Sequence, residues 1–212
     1  MRCGGNIGMP GKIAVLASTK GTDMQALIDA IGRKELEAEI VAVISNRSDA
    51  YALERAKKHG IPSFLVERGS GTKEEYDREI MAVLEKQGAE LVLLIGYDRI
   101  VGKEFVEKYE GRMMNIHPSL LPAFPGNFDQ DVHEAVIDSG VKITGCTLHF
   151  VTSAVDGGQI IAQKAVEIGD KDTAESIRER VQAAEQGLIV KAVKDFFAGK
   201  LRVEGRQVLG AG

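Results

Sequence analysis

A chain of 212 residues with 44% hydrophobic and 27% charged side chains can bury one substantial core, and the balance is ordinary for a globular protein. A formal net charge of -4, with no run of Lys or Arg, leaves no electrostatic footprint for generic nucleic-acid binding or for an anionic membrane. Two cysteines, Cys3 and Cys146, make neither a disulfide framework nor a metal site. With no signal-like apolar region and no stretch near the roughly 18 apolar residues of a spanning helix, the expectation is a cytoplasmic, reduced protein.

Residues 1–11 hold four Gly and read as a flexible tail, followed by a single domain over 12–204 and a polar tail over 205–212. Residues 12–17 (KIAVLA) form a short apolar run of strand formers. Ser18-Thr19-Lys20-Gly21-Thr22-Asp23 then leads into a helical pattern through Met24, Leu27, Ile28 and Ile31. Such a strand–loop–helix unit points the backbone N–H groups of Gly21, Thr22 and Asp23 at an anion such as phosphate. One Gly and no Walker lysine make the motif weak, and from this stretch alone an ordinary Asp or Thr helix cap is the favoured reading.

Residues 39–45 repeat the apolar run, Ser48-Asp49 opens a second helix that stops at Gly60, and 61–66 is a third short strand. Residues 72–87 are amphipathic, and 91–95 (LVLLI) are continuously apolar, as a strand covered on both faces should be. Strands separated by helices imply a Rossmann-like α/β fold with a mostly parallel sheet. The loops after Ala17, Ser45, Ile95 and the next strand should therefore converge on a ligand. That next strand, 112–116, runs into His117-Pro118, and the Pro/Gly-rich stretch 121–130 reads as a mobile lid. A helix over 129–139, a strand pair (144–152 and 159–168) turning at Asp156-Gly157-Gly158, and a long amphipathic helix over 173–197 complete the domain.

Asn115 and His117 are two apart, so on a strand they share a face. An Asn amide can stabilise a developing oxyanion, an imidazole can move a proton near neutral pH, and a nearby carboxylate raises the imidazole pKa. Asp156 is the carboxylate that the strand pair returns to the sheet edge. Without a Ser or Cys nucleophile elbow, this trio suggests acyl-type transfer by direct attack of a substrate amine. The alternative is structural: His-Pro after a strand and Asp before Gly-Gly are both common turn chemistry. His149, alternating within a strand, reads as a packed or supporting residue, and His59 and His133 as surface residues. No Cys/His spacing indicates a metal.

The segments KIAVLASTKGTDMQALIDAI, GYDRIV, GRMMNIHPSLLPAFPG, GCTLHFV and VDGGQIIAQ together resemble the phosphoribosylglycinamide formyltransferase family of the formyltransferase superfamily, from about residue 12 to 201. The resemblance implies transfer of a formyl group from the co-substrate 10-formyltetrahydrofolate to the amine of glycinamide ribonucleotide, in purine biosynthesis, with no metal. It implies that Asn115, His117 and Asp156 are catalytic. Gly21, Thr22 and Asp23 would hold the ribonucleotide phosphate and Glu185 its ribose, within a nucleotide half over about 12–100. Arg99, Ile100, Val151 and Val155 would line the folate site, in a half over about 101–204. Small molecules would be the only partners, with neither nucleic acid nor membrane, and the chain would be a monomer or homodimer.

Three departures stand out. Gly21-Thr22-Asp23 replaces the family's usual Gly-Ser-Asn and sets a carboxylate near a phosphate, a repulsion of roughly a kcal/mol at about 4 Å in water. Lys20 would offset it while Asp23 caps its helix. Asp98 stands where the family often has Met, and Phe128 where some members have His. A formyltetrahydrofolate deformylase, in which water attacks the same group, and a non-catalytic folate- or nucleotide-binding module are the competing expectations.

Overall fold

The structure, a computed structural model, describes residues 9–126 and 129–211. The strands are β1 (Gly11–Leu16), β2 (Ala38–Ser45), β3 (Ser63–Leu65), β4 (Leu91–Leu94), β5 (Met113–His117), β6 (Ile143–Phe150), β7 (Ile160–Glu167), β8 (Arg202–Glu204) and β9 (Gln207–Leu209). The helices are α1 (Thr22–Gly32), α2 (Tyr51–Lys58), α3 (Lys73–Gln87), α4 (Lys103–Lys108), α5 (Asp129–Asp138) and α6 (Ala174–Phe197). Cys3 and Phe128, with most of the expected N-terminal tail, lie outside the described residues.

One sheet runs in the order β3-β2-β1-β4-β5-β6-β7-β9-β8. Neighbours from β3 to β5 pair in parallel, and β6 pairs antiparallel with both β5 and β7. This is the Rossmann-like, mostly parallel sheet expected, with its later antiparallel pair. Alternation along β1 explains the layering. Ile13 and Val15 join Met24, Leu27, Ile189, Val193 and Phe196 in the core under α1 and α6. Ala14 and Leu16 join Tyr76, Ile80, Leu84 and Phe105 under α3 and α4. Both faces being covered, β4 is buried at every position, and each Leu or Ile so buried contributes about 1.5–3 kcal/mol.

The chain leaves β1 in one direction towards β2 and β3 and returns to β4 on the other side, so the crevice at this reversal lies beyond the carboxyl ends of the strands. The loops after β1, β4 and β5 meet there; the loop after β2 lies behind them. The C-terminal stretch departs from expectation. Residues 207–209, expected in a tail, form β9, which pairs with β8 and touches β7 at Ile160; three residues each are too short for a periodic signal. His133, expected at the surface, is buried. It sits on α5 beside Val132 and one turn from Val136, both buried too, so its polar sequence neighbours misled.

Candidate active site

Strand β5 sets Asn115 and His117 on one face, and antiparallel pairing places His149 of β6 directly opposite Asn115. The β6–β7 pairing shifts register between Leu148 and His149, an irregularity of the kind common beside functional sites. His149 Nδ1 lies 2.8 Å from the Phe150 carbonyl. A carbonyl only accepts, so Nδ1 carries the proton and Nε2 offers a lone pair. The Asn115 side-chain amide donates to that Nε2 at 3.2 Å. One amide hydrogen is thereby spent on His149 and the other is aimed into the cleft.

Asp156 reaches the same point from the turn before β7, where it adopts a left-handed backbone with φ 49°. Its Oδ2 lies 3.5 Å from His117 Nδ1 and its Oδ1 3.5 Å from His149 Nε2, and Oδ2 accepts the Gly126 N–H at 2.8 Å. At 3.5 Å neither contact is a well-formed hydrogen bond, and each gains strength when its ring carries a proton on the facing nitrogen. Burial pushes the Asp156 carboxyl up, but His149, the Gly126 N–H and His117 together hold it below the usual carboxylate range. Gly158 lets this turn close, because a Cβ there would sit 1.7 Å from the Phe150 carbonyl oxygen.

His117 Nε2 donates to the Phe124 carbonyl at 2.8 Å. The expected upward pull of Asp156 is present but does not win: burial is the larger influence, and the His117 pKa falls below its ordinary value. Both nitrogens nonetheless face acceptors, so a charge arriving on this ring finds two partners in place.

The expected lid is, over 118–126, a tied arm. Thr147 Oγ1 donates to the Ser119 carbonyl and accepts the Leu121 N–H, and Gln163 Nε2 reaches the Leu121 carbonyl. Added to the His117 and Asp156 bonds, these hold the arm against the site. Side-chain anchors from a distant strand pair are invisible in a Pro/Gly-rich sequence.

Asn115, His117, His149 and Asp156 line one end of an open cleft. Gly21, Thr22, Asp23, Gln182 and Glu185 line the other. There α1 begins after Gly21, whose φ of 62° suits glycine, and no side chain caps it. Asp23, expected as that cap, is instead in the first turn and only 4% exposed. Glu185 of α6 is 7% exposed, and Gln182 donates to Thr22 Oγ1 at 2.6 Å. Beneath them the Cys146 thiol is pushed up to about 12 by burial and by the charges of Glu185 and Asp23. The Lys20 side chain is exposed and does not line the cleft, while its carbonyl accepts from Arg55 Nε at 3.2 Å.

Arg99, Ile100, Val151 and Val155 also line the cleft. Ile100 and Val155 are 57% and 51% exposed, an apolar pair on two loops of one cleft. The structure brings Asn115, His117 and Asp156 together at one point, beside His149, read from the sequence as a packed or supporting residue; Gln182 and Gly126 drew no expectation. His149 required the antiparallel register, Gln182 required the docking of α6 on α1, and Gly126 carried no signal. Among the described residues no cluster of His, Cys, Asp and Glu has metal-binding geometry, and no helix is long and apolar enough to cross a membrane.

Residues 11–193 match the family described as formyl transferase. A phosphoribosylglycinamide formyltransferase of Escherichia coli is 36% identical over 90% of this chain and 89% of its own. A trifunctional purine biosynthetic protein adenosine-3 of chicken (Gallus gallus) is 41% identical over 91% of this chain, which spans only 19% of that longer protein. The crystal structure of glycinamide ribonucleotide transformylase 1 from Symbiobacterium toebii superposes with a TM-score of 0.91 at 38% identity, covering 95% of this chain and 94% of its own.

Proposed function

The chain belongs to the formyl transferase family, in its phosphoribosylglycinamide formyltransferase branch, and from that premise we propose that it moves a formyl group from 10-formyltetrahydrofolate to the amine of glycinamide ribonucleotide. The reaction serves purine biosynthesis in the cytoplasm and needs no partner beyond two small molecules. The observation that carries this reading is the convergence of an amide, two imidazoles and a carboxylate on one end of a two-ended cleft.

The ribonucleotide phosphate lies at Gly21, Thr22 and Asp23, where the first-turn backbone N–H groups of α1 face it, and Glu185 accepts the ribose hydroxyls. Lys20, one residue from that loop, supplies positive charge from the rim. The folate packs on Ile100 and Val155, with Arg99 and Val151 beside it. These placements divide the domain into a nucleotide half, about 12–100, and a folate half, about 101–204.

The neutral amine attacks the formyl carbon, forming a C–N bond and pushing the carbonyl electrons onto oxygen. The free amide hydrogen of Asn115 meets that oxyanion, and His117, protonated as negative charge builds beside it, meets it from the other side. Asp156 stabilises the imidazolium and takes up the proton that the ammonium sheds, directly or through water. The oxyanion's electrons then re-form the carbonyl and expel the folate nitrogen with the electron pair of its C–N bond, and the proton shed by the ammonium passes from Asp156 or its water to that nitrogen, so tetrahydrofolate departs neutral at that atom and the carboxylate is restored. The lowered pKa of His117 fits this order, because the ring remains neutral until a negative partner arrives.

An assay of tetrahydrofolate formation with and without glycinamide ribonucleotide tests the proposal. Formation only with the amine supports formyl transfer. Equal formation without it replaces transfer by hydrolysis, and none under either condition leaves a binding module.

A further inference from the structure

The loops after β1 and β4 both line the cleft, and at the sheet reversal they touch. Ser18 N–H donates to the Gly96 carbonyl at 3.0 Å, and a Cβ on Gly96 would lie 2.3 Å from Thr19 Oγ1, so the two backbones run in contact. Asp98 closes the junction from behind. Its Oδ1 is 2.9 Å from Ser18 Oγ and accepts Asn46 Nδ2–H at 2.8 Å, while its own N–H donates to Ser18 Oγ at 3.0 Å. Ser18 Oγ is also 2.6 Å from Asn46 Oδ1, so its single proton is shared between that amide oxygen and the Asp98 carboxylate. Arg47 Nη1 approaches Asp98 Oδ2 at 3.7 Å. Ser18 and Asn46 are both buried, so their polar groups have no ready replacement for Asp98 in water.

We propose that Asp98, which does not itself line the cleft, is a positioning residue that locks the phosphate-side loop (18–21) to the folate-side loop (96–102), so that one carboxylate sets the geometry of both substrate subsites. The inference rests on the functional reading above for the identity of the two substrates. The folate-side loop is pinned on its far flank as well. Tyr76 and Tyr97 share a hydroxyl hydrogen bond at 2.9 Å, Asp77 Oδ2 accepts the Gly102 N–H at 2.6 Å, and Lys73 Nζ donates to the Val101 carbonyl at 3.2 Å. Arg99 and Ile100 are presented between two fixed points. Loss of Asp98 frees the near point and, with it, Ser18 in the other loop.

Hydrogen exchange on substrate-free protein tests the lock without reference to activity. In Asp98→Ala, amides in 18–21 and 96–99 exchange about tenfold faster or more, together, while Asp98→Asn, which retains an acceptor at the Oδ1 position, behaves as wild type. In steady-state kinetics Asp98→Ala raises KM for both substrates about fivefold or more with kcat within about threefold, and Asp98→Asn restores both. Asn46→Ala, which removes the donor from the opposite side, reproduces the pattern if the alanine at 98 does not fold. Unchanged exchange, faster exchange in one loop only, a KM change for one substrate only, or failure of Asp98→Asn to rescue overturns the lock. A wild type that transfers no formyl group overturns the functional reading instead and leaves the exchange result standing.

Discussion

At the end of the cleft built by β5 and β6, the buried His117 and His149 and the half-buried Asn115 and Asp156 lie within hydrogen-bonding or close electrostatic reach of one another. At the end built by α1 and α6, the cleft is lined by backbone, a Thr22–Gln182 hydrogen bond and two buried carboxylates. In the proposed reaction the first end is preorganised for charge that develops during the chemical step, which lowers a barrier. The second offers donors that a ground-state anion uses equally well, which sets KM. Substitutions at the two ends should therefore separate in kinetics.

The largest effect belongs to Asp156→Asn. Asn tolerates the left-handed backbone at this position, so the loss is chemical, and kcat should fall by about a hundredfold or more. His149→Ala should follow, lowering kcat by about tenfold to a hundredfold, because the Asn115 amide loses the acceptor that aims it. A drop in KM for the ribonucleotide with kcat intact would place His149 at the wrong end of the comparison.

At the other end the effects are smaller and fall on KM. Asp23→Asn removes a carboxylate from beside a dianionic phosphate and should lower KM for the ribonucleotide roughly threefold to tenfold, the scale of a Coulomb term of about a kcal/mol. Lys20→Ala should raise the same KM by about threefold; an unchanged KM would show that Lys20 plays no part. The smallest effect is on stability. His117 has a folded pKa below its ordinary 6.5 and Asp156 one below its ordinary 3.8, so in both cases the unfolded chain binds the proton more readily. Stability is then full above each ordinary value and declines as pH falls from that value through the folded one. Thermal unfolding followed from pH 7 downwards should show a decline beginning near the His117 ordinary value of 6.5, and His117→Gln should remove that first step.

Much of the sheet was legible because buried parallel strands write themselves as continuous apolar runs: KIAVLA and LVLLI needed nothing else. Asn115 and His117 were legible through their spacing, and Asp156 through the turn that follows it. What failed to show depends on distant pairing. The partnership of Asn115 with His149 is a property of register between two strands, the anchoring of the 118–126 arm comes from Thr147 and Gln163, and β9 is held by one bridge to β7 and a short pairing with β8. Arg206, from the β8–β9 turn, even donates to the Gly157 carbonyl beside Asp156 at 2.9 Å, a contact that no local pattern in a polar C-terminal stretch encodes. Asp98 was conspicuous in the sequence as a departure, but its partners Ser18 and Asn46 lie 80 and 52 positions away along the chain.

The most direct test of the catalytic centre is Asn115→Ala assayed for tetrahydrofolate formation with both substrates varied. If the Asn115 amide meets the oxyanion only as it develops, kcat falls by about a hundredfold or more while both KM values stay within a few-fold of wild type. A loss of about tenfold or less in kcat, or a defect confined to KM, would contradict that role.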